Sequence, residues 1–344
     1  MNRKRSFTLI FPPAILGLLA ILGTMLGSQG PSMTWKQAPL NLPTTGDAKD
    51  VSFTRISFVP TGEGWASFVM GEYPNLVHGV ARSRDGESWE LKPIPGYRGI
   101  DSFFFIDTNR GWLSTTTDSA NSTAVLLQTT DGGQTWSRWS SLESLKVRAL
   151  LDMRFAENGT GLAVGMVMPG QTGVVIRTND AGKTWSLDKS TDHTLQRLAV
   201  RDANTFVMDD FGGILRKTTE TDWQIVRQRG EEILMGLDMP TAQSVFAIRH
   251  YGAVFVSRNE GRFWDEIRLP VPYDDLFLGA IKFADSEHGW VAGHHGFILE
   301  TSDGGKSWKL DSQVQSYFLR DIGITDKRVF VVGDDGAIFW RDRP

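Results

Sequence analysis

The run TTDGGQTW at residues 129–136 decides how this chain of 344 residues is read, because it recurs. It returns as TNDAGKTW at 178–185 and as TSDGGKSW at 301–308. Weaker copies are SRDGESW at 83–89, one residue short, and SRNEGRFW at 257–264, with Asn259 where Asp is expected. A phrase recurring at tens of residues marks stacked supersecondary units, so the repeat sets the fold class before any other feature.

Apolar runs at 125–127, 174–176, 254–256 and 297–299 lead into four of the copies. This is a strand entering a tight turn, with Ser/Thr-Trp opening the next strand. The Asp can accept main-chain N–H bonds within its own turn, and Gly takes the positive φ that other residues resist. The Trp offers a large apolar plate for packing against a neighbouring sheet. The phrase resembles the Asp-box, the repeat of bacterial neuraminidases. Asp85, Asp131, Asp180, Asn259 and Asp303 are therefore assigned to the fold, since a side chain satisfied inside its own turn is unavailable for acid–base work.

The box tryptophans give the register: Trp35, Trp89, Trp136, Trp185, Trp223, Trp264 and Trp308. Their spacings of 54, 47, 49, 38, 41 and 44 residues each suit one four-stranded propeller blade. Trp223 ends TTETDW, a copy without glycines. Before each box comes a Gly-containing hairpin turn, and earlier still a strand near Gly-Trp: Gly64-Trp65, Gly111-Trp112 and Gly289-Trp290, with Gly161-Leu162 as a variant. In these four units a Phe precedes the Gly by six residues: Phe58, Phe105, Phe155 and Phe283. The sequence predicts an all-β, seven-bladed β-propeller.

The termini sharpen that expectation. The last unit, VVGDDGAIFW at 331–340, has three strand signals and no box, whereas MTWKQ at 33–37 is a Trp strand with nothing before it. Together they make one blade. The strand around Trp35 is predicted to pair with residues 337–340 and close the ring, which removes the exposed edges of an open array. Residues 39–50, rich in Pro, Thr and Gly, read as a loop entering the first complete blade.

The expected domains are residues 1–30, a signal peptide or membrane anchor, and residues 31–344, the propeller. Arg3, Lys4 and Arg5 precede an uncharged, mostly apolar stretch from Phe7 to Leu26 whose 20 residues match a bilayer span. The basic end should stay in the cytoplasm, sending the rest across the membrane. Weak exit residues Ser28-Gln29-Gly30 leave cleavage and anchoring both open. There is no cysteine, hence no disulfide and no lipid-attachment site. Removing residues 1–30 takes away three basic groups and no acid, moving the net charge from −4 to −7. That balance excludes general nucleic-acid affinity.

One basic feature stands out. Most strands after a box Trp begin with Arg: Arg55, Arg98, Arg148, Arg197 and Arg320. Read as the innermost strands, they are expected to cluster these arginines at the channel mouth, on the face opposite the boxes. A one-sign ring in an acidic chain is a site for an acidic peptide or carboxylate. The competing reading pairs each Arg with a nearby acid such as Asp101, Asp152 or Asp321. Measured back from the Phe-like anchor of each unit, Arg55 and Arg197 sit at −3, Arg98 and Arg148 at −7, and Arg154 and Lys282 at −1, odd offsets that share one face of a strand, whereas Arg320 at −4 falls out of phase. Asp209-Asp210, His250, His294-His295 and Asp334-Asp335 occupy equivalent hairpin turns, but their spacing matches no metal-ligand motif. No metal and no cofactor is expected.

Two families share the repeat. Sialidases close a six-bladed ring and use an Arg triad, a Tyr/Glu pair and an Asp. Their Phe/Tyr-Arg-Ile-Pro signature has only Thr54-Arg55-Ile56-Ser57 here, without the Pro. The run GWVAGHHGFILETSDGGKSW at 289–308, with GLAVG and VVIRTNDAGKTW within 161–185, instead resembles the photosystem II stability/assembly factor family. That resemblance implies a non-enzymatic seven-bladed scaffold outside the cytoplasm, on the periplasm or thylakoid lumen side. It implies a membrane-protein subunit as partner, the D1 reaction-centre subunit in the family itself, met by a basic patch. The alternatives are a sialidase-like glycoside hydrolase and an envelope- or carbohydrate-binding module.

Overall fold

The computed structural model of the chain describes residues 34–42, 47–116, 123–167, 172–219, 222–230, 232–271 and 276–344. The N-terminal apolar stretch lies outside these residues. Among the described residues no helix is long and apolar enough to cross a membrane.

The compact unit Trp35–Pro344 is built of seven antiparallel sheets. Blade 1 holds strands Val51–Phe58, Gly64–Met70, Val77–Ser83 and Trp89–Pro93; blade 2 holds Ser102–Phe105, Gly111–Thr116, Ala124–Thr129 and Ser137–Ser141. Blade 3 holds Val147–Phe155, Gly161–Val167, Thr172–Thr178 and Ser186–Thr191. Blade 4 holds Leu195–Arg201, Asn204–Asp209, Ile214–Lys217 and Trp223–Arg227. Blade 5 holds Leu234–Asp238, Val245–Arg249, Ala253–Ser257 and Asp265–Arg268; blade 6 holds Leu278–Phe283, Gly289–Gly293, Phe297–Thr301 and Lys309–Gln313. Blade 7 holds Leu319–Ile324, Arg328–Gly333 and Ile338–Asp342, with Lys36–Gln37 as its outermost strand. Each first strand touches the first strand of the next blade all the way round, so these seven strands line the channel.

Closure is as expected. Lys36 pairs with Trp340 and Gln37 with Phe339, and Ala38 N–H donates to Ile338 O at 2.8 Å. Trp35 adds a side-chain tie, its Nε1 donating to Asp311 Oδ2 at 2.9 Å. The segment after closure differs from expectation. It does not run only as a loop: Leu40–Asn41 lies parallel to Trp89–Pro93 and adds a fifth strand to blade 1.

The Phe–Gly spacing has a direct packing cause. Phe58, Phe105, Phe155 and Phe283 pair across their hairpins with Gly64, Gly111, Gly161 and Gly289. Each ring lies over the glycine Cα, where a Cβ would come within 2.3–2.7 Å of it. The other ring face meets the preceding blade. Trp65 stacks on Phe105 at 3.9 Å and Trp112 on Phe155 at 4.1 Å; Phe246 meets Phe283 at 4.3 Å and Phe330 meets Phe58 at 4.4 Å. The box tryptophans Trp89, Trp136, Trp185 and Trp308 abut the Phe of their own blade edge-on. The aromatic stack between blades is thus made by the second-strand ring, and the box Trp buttresses the Phe from within its own blade.

Arginines reinforce the same seams. Arg82 of blade 1 lies over Trp65 and reaches Thr108 O and Asp131 O of blade 2. Arg328 of blade 7 lies over Trp340 and donates to Asp85 O and Glu87 of blade 1. Substituting Gly111→Ala drives a Cβ to 2.6 Å from the Phe105 ring and should cost about 1–3 kcal/mol by overpacking. The double variant with Phe105→Leu should lose less than the sum of the two single losses, as contacting sites do. Urea midpoints measure this, and strictly additive losses would show that the ring and the glycine do not depend on each other.

Candidate functional site

The box turns come first, because they carry most of the acids that resemble reagents. In the box of blade 2 the Thr129 hydroxyl accepts Gly133 N–H at 2.8 Å and donates to Asp131 Oδ1 at 2.8 Å. Asp131 then accepts the N–H and hydroxyl of Thr135. Asp180 and Asp303 repeat this with Thr184 and Ser307. Asn259 accepts Phe263 N–H, and Asp85 accepts Glu87 and Ser88 N–H. Slight burial opposes ionisation at Asp131 and Asp303, but the hydrogen bonds outweigh it; at Asp180 the Thr184 hydroxyl leads. All three carboxyls are held at about 2. Such groups are permanent acceptors, poorly suited to exchanging a proton near neutrality.

In the channel, equivalent register places Arg55, Ser102, Asp152, Arg197, Gly236, Ala280 and Asp321 at one level, one from each blade. The charges at this level are mixed and mutually engaged. Asp152 accepts Met153 N–H and, from blade 4, Leu198 N–H at 3.0 Å. Asp321 accepts Ile322 N–H and, from blade 1, Ile56 N–H at 2.9 Å. Asp238, one layer on, accepts Phe283 N–H of blade 6 at 2.8 Å and pairs with Lys282 at 2.7 Å. These carboxylates stitch one inner strand to the next. Arg55 reaches past blade 2 to Leu151 O of blade 3 at 2.8 Å, and Arg154 pairs with Asp152 at 2.5 Å. Burial pushes Asp152 up, but Arg154, Arg55 and Arg197 more than reverse it. Burial and then Arg55 push Arg197 below the usual arginine range, against Asp152 and Asp321. A cavity of about 230 Å³ opens here, lined by Arg55, Arg154, Lys282, Asp152 and Asp321 among others.

The five arginines therefore do not share one level. Arg55 and Arg197 sit inside the channel among acids. Arg148 and Arg320 lie at the start of the inner strands of blades 3 and 7, and Arg98 in the segment before that of blade 2, on the hairpin-turn face. Arg98 and Arg148 are exposed. Arg320 is clamped by Asp334 at 2.8 and 3.1 Å, with its guanidinium over Phe318. Arg55 and Arg197 hold the same register position, but Arg148 is itself bulged out between Val147 and Ala149, and a second bulge between Leu150 and Asp152 separates it from Phe155. Each bulge inserts a residue and resets which side chain faces the axis.

The hairpin-turn residues divide as well. His250, His294 and His295 join Tyr251, Phe277, Tyr317 and Phe318 in a chain of ring contacts. Asp335 accepts Tyr317 N–H, and Asp209 accepts Phe211 and Gly213 N–H. Among the described residues no three His, Asp or Glu come together as a metal site would require.

Comparison with known proteins agrees with the resemblance read from residues 289–308. The family described as photosynthesis system II assembly factor YCF48 matches residues 256–342. The chloroplastic photosystem II stability/assembly factor HCF136 of Arabidopsis thaliana is 21% identical over 313 residues, covering 82% of this chain and 74% of its own length. The photosystem II assembly lipoprotein Ycf48 of Synechococcus sp. strain CC9902 is 24% identical over 321 residues, covering 89% and 88%. A solved YCF48 bound to D1 peptide superposes with a TM-score of 0.68 at 20% identity, covering 92% of this chain and 98% of that one. These named relatives are assembly factors. A glycoside hydrolase and a lyase share the ring at 12–13% identity, so shape alone assigns no activity. The seven blades also differ from the six of the sialidase alternative.

Asp101 offers a pH test of the site. It lies beside Arg148 with a buried Oδ2 that has no hydrogen-bond partner among the described residues. Burial raises its carboxyl to about 7, with Arg148 working against the rise. The fold thus favours the protonated form, and stability is lost as pH rises from the unfolded value of 3.8 through about 7. Asp101→Asn should raise the denaturation midpoint above about pH 7 and leave it unchanged below about pH 4. An equal shift at both ends would show that this proton is not linked to folding.

Proposed function

We propose that this chain is a non-enzymatic binding scaffold outside the cytoplasm that assists the assembly or stability of a membrane-protein complex. The observation that carries this reading is correspondence along most of the chain with proteins named as photosystem II assembly factors, rather than a match confined to one repeat. Residues 1–30 act as the export signal or membrane anchor, and residues 31–344 as the binding body. The partner is a membrane-protein subunit presenting an acidic peptide segment. One solved relative of the same fold holds a D1 peptide, which fits that class.

The geometry supports a binder in a specific way. The box carboxylates and the channel carboxylates Asp152, Asp238 and Asp321 are engaged by main-chain N–H groups of the fold. Arg98 and Arg148 are exposed at the mouth, with Arg55 and Arg197 behind them in the channel. A partner carboxylate meets Arg98 and Arg148 first, and salt should weaken the encounter.

The test is titration of the full chain, in detergent, with the D1 peptide at low and high salt. Binding should fall at least several-fold in Arg98→Glu/Arg148→Glu, more steeply at low salt, with the urea midpoint unchanged. Equal binding by the double variant removes the basic mouth as the contact. No binding by the unaltered chain removes a D1-like segment as partner.

A further inference from the structure

A second feature lies away from the channel, on the rim between blades 3 and 4. A groove of about 740 Å³ runs between the outermost strand of blade 3, Ser186–Thr191, and that of blade 4, Trp223–Arg227. Trp223, Leu215 and Ile225 give it an apolar wall, and Ile225 is a large aliphatic side chain left 53% exposed.

At one end the groove holds an arginine placed by a buried acid. Asp209 has a side chain 1% exposed, and its Oδ2 accepts Arg229 Nε at 2.7 Å. Its Oδ1 accepts Phe211 N–H at 2.9 Å and Gly213 N–H at 2.7 Å, so the carboxylate is fixed from both sides. Gly213 is needed for this approach, since a Cβ there would stand 2.4 Å from Asp209 Oδ2. Arg229 is held through Nε alone, and its two Nη atoms have no hydrogen-bond partner among the described residues. Arg227, two residues earlier, is different: it is spent on Gly212 O, Glu232 and the Phe255 ring. Lys189 adds a positive charge from the opposite wall, and Asp192 is the opposing charge in the lining.

The outermost strand of blade 3 pairs on one side with Thr172–Thr178, and no described strand covers its other edge. The chain itself shows how such an edge is filled, because Leu40–Asn41 adds to the outer strand of blade 1. We propose that this groove is a peptide site, taking an extended segment whose main chain lies along the open edge of blade 3. An acidic side chain of that segment sits on the fork of Arg229 and an apolar one on Ile225 and Trp223. A fork with free Nη atoms accepts one carboxylate bidentately, while Asp192 disfavours a run of acids. The site shares no residue with the channel mouth and does not depend on the mouth being a contact.

Panning short random peptides displayed on phage against the full chain in detergent tests this. Peptides with one acidic residue beside apolar ones should be enriched. Their synthetic forms should bind at least fivefold more weakly to Arg229→Gln and equally to Arg98→Glu/Arg148→Glu. They should also slow amide exchange in Ser186–Thr191. Enriched peptides that bind Arg229→Gln as well as the parent, or that protect another surface, overturn the proposal. So does an absence of enrichment, or enrichment of neutral sequences only. Arg229→Lys, which keeps the charge and loses the fork, should recover only part of the binding, and the urea midpoints of both variants exclude unfolding as the cause.

Discussion

A phenylalanine ring trapped between a glycine and the preceding blade's aromatic is the contact on which this structure turns. The glycine is required because the ring occupies the space of its missing Cβ, as Gly111 and Phe105 show at 2.6 Å. The freed ring face then stacks on Trp65 of the blade before, and the box Trp136 closes the edge. Each such stacked pair contributes about 0.5–1.5 kcal/mol beyond its buried area. The same trio recurs at Phe155 and Phe283, and at Phe58 across the closing seam between blades 7 and 1. The remaining seams have Val200, Met239 and Ile324 at the equivalent position. Two of these residues fall in blades 4 and 5, where the box loses its glycines or its Asp. Both degradations belong to the same part of the ring.

Packing alone would leave the inner strands unsatisfied, because they face a narrow channel and not another sheet. Asp152, Asp238 and Asp321 meet that need by accepting an N–H from the following blade. A buried carboxylate so used must be balanced, and Arg154, Arg55, Arg197 and Lys282 balance it. The basic residues of the channel centre are thus half of a structural ledger. Of the five arginines at the inner strands, Arg98 and Arg148 are the exposed ones.

Most of the ring was legible in the sequence. The boxes gave the turns, the tryptophan count gave seven blades, and the unmatched ends gave closure at Trp340. The Phe–Gly spacing was visible too, although its cause needs the cross-hairpin register. What escaped was everything that depends on phase within the inner strand. Counting residues along a strand assumes an unbroken pleat, and the bulges between Val147 and Asp152 break it at Arg148. The short strand Leu40–Asn41 escaped because parallel addition to an edge leaves no turn signal. The Asp209–Arg229 pair escaped because its members lie 20 residues apart with the outer strand of blade 4 between them. Gly212-Gly213, one residue beyond Asp209-Asp210, was the available signal, since two glycines there allow the main chain to close on a carboxylate.

A propeller spends its conspicuous residues on itself: the repeated acids hold turns, the repeated indoles hold seams, and the central charges cancel. Residues conspicuous by repetition are for that reason the poorest candidates for function, because a role needed in every blade is a role in the ring. Function is better sought where a blade departs from its neighbours and leaves a group unspent. Blade 4 departs most, with a box that has no glycine and no Phe at the seam. It also carries Arg229, whose fork is oriented by a buried acid and left open to a groove. Its Nε balances buried Asp209, while its Nη atoms, unlike those of Arg82 and Arg328, meet no hydrogen-bond partner among the described residues and are left for a ligand.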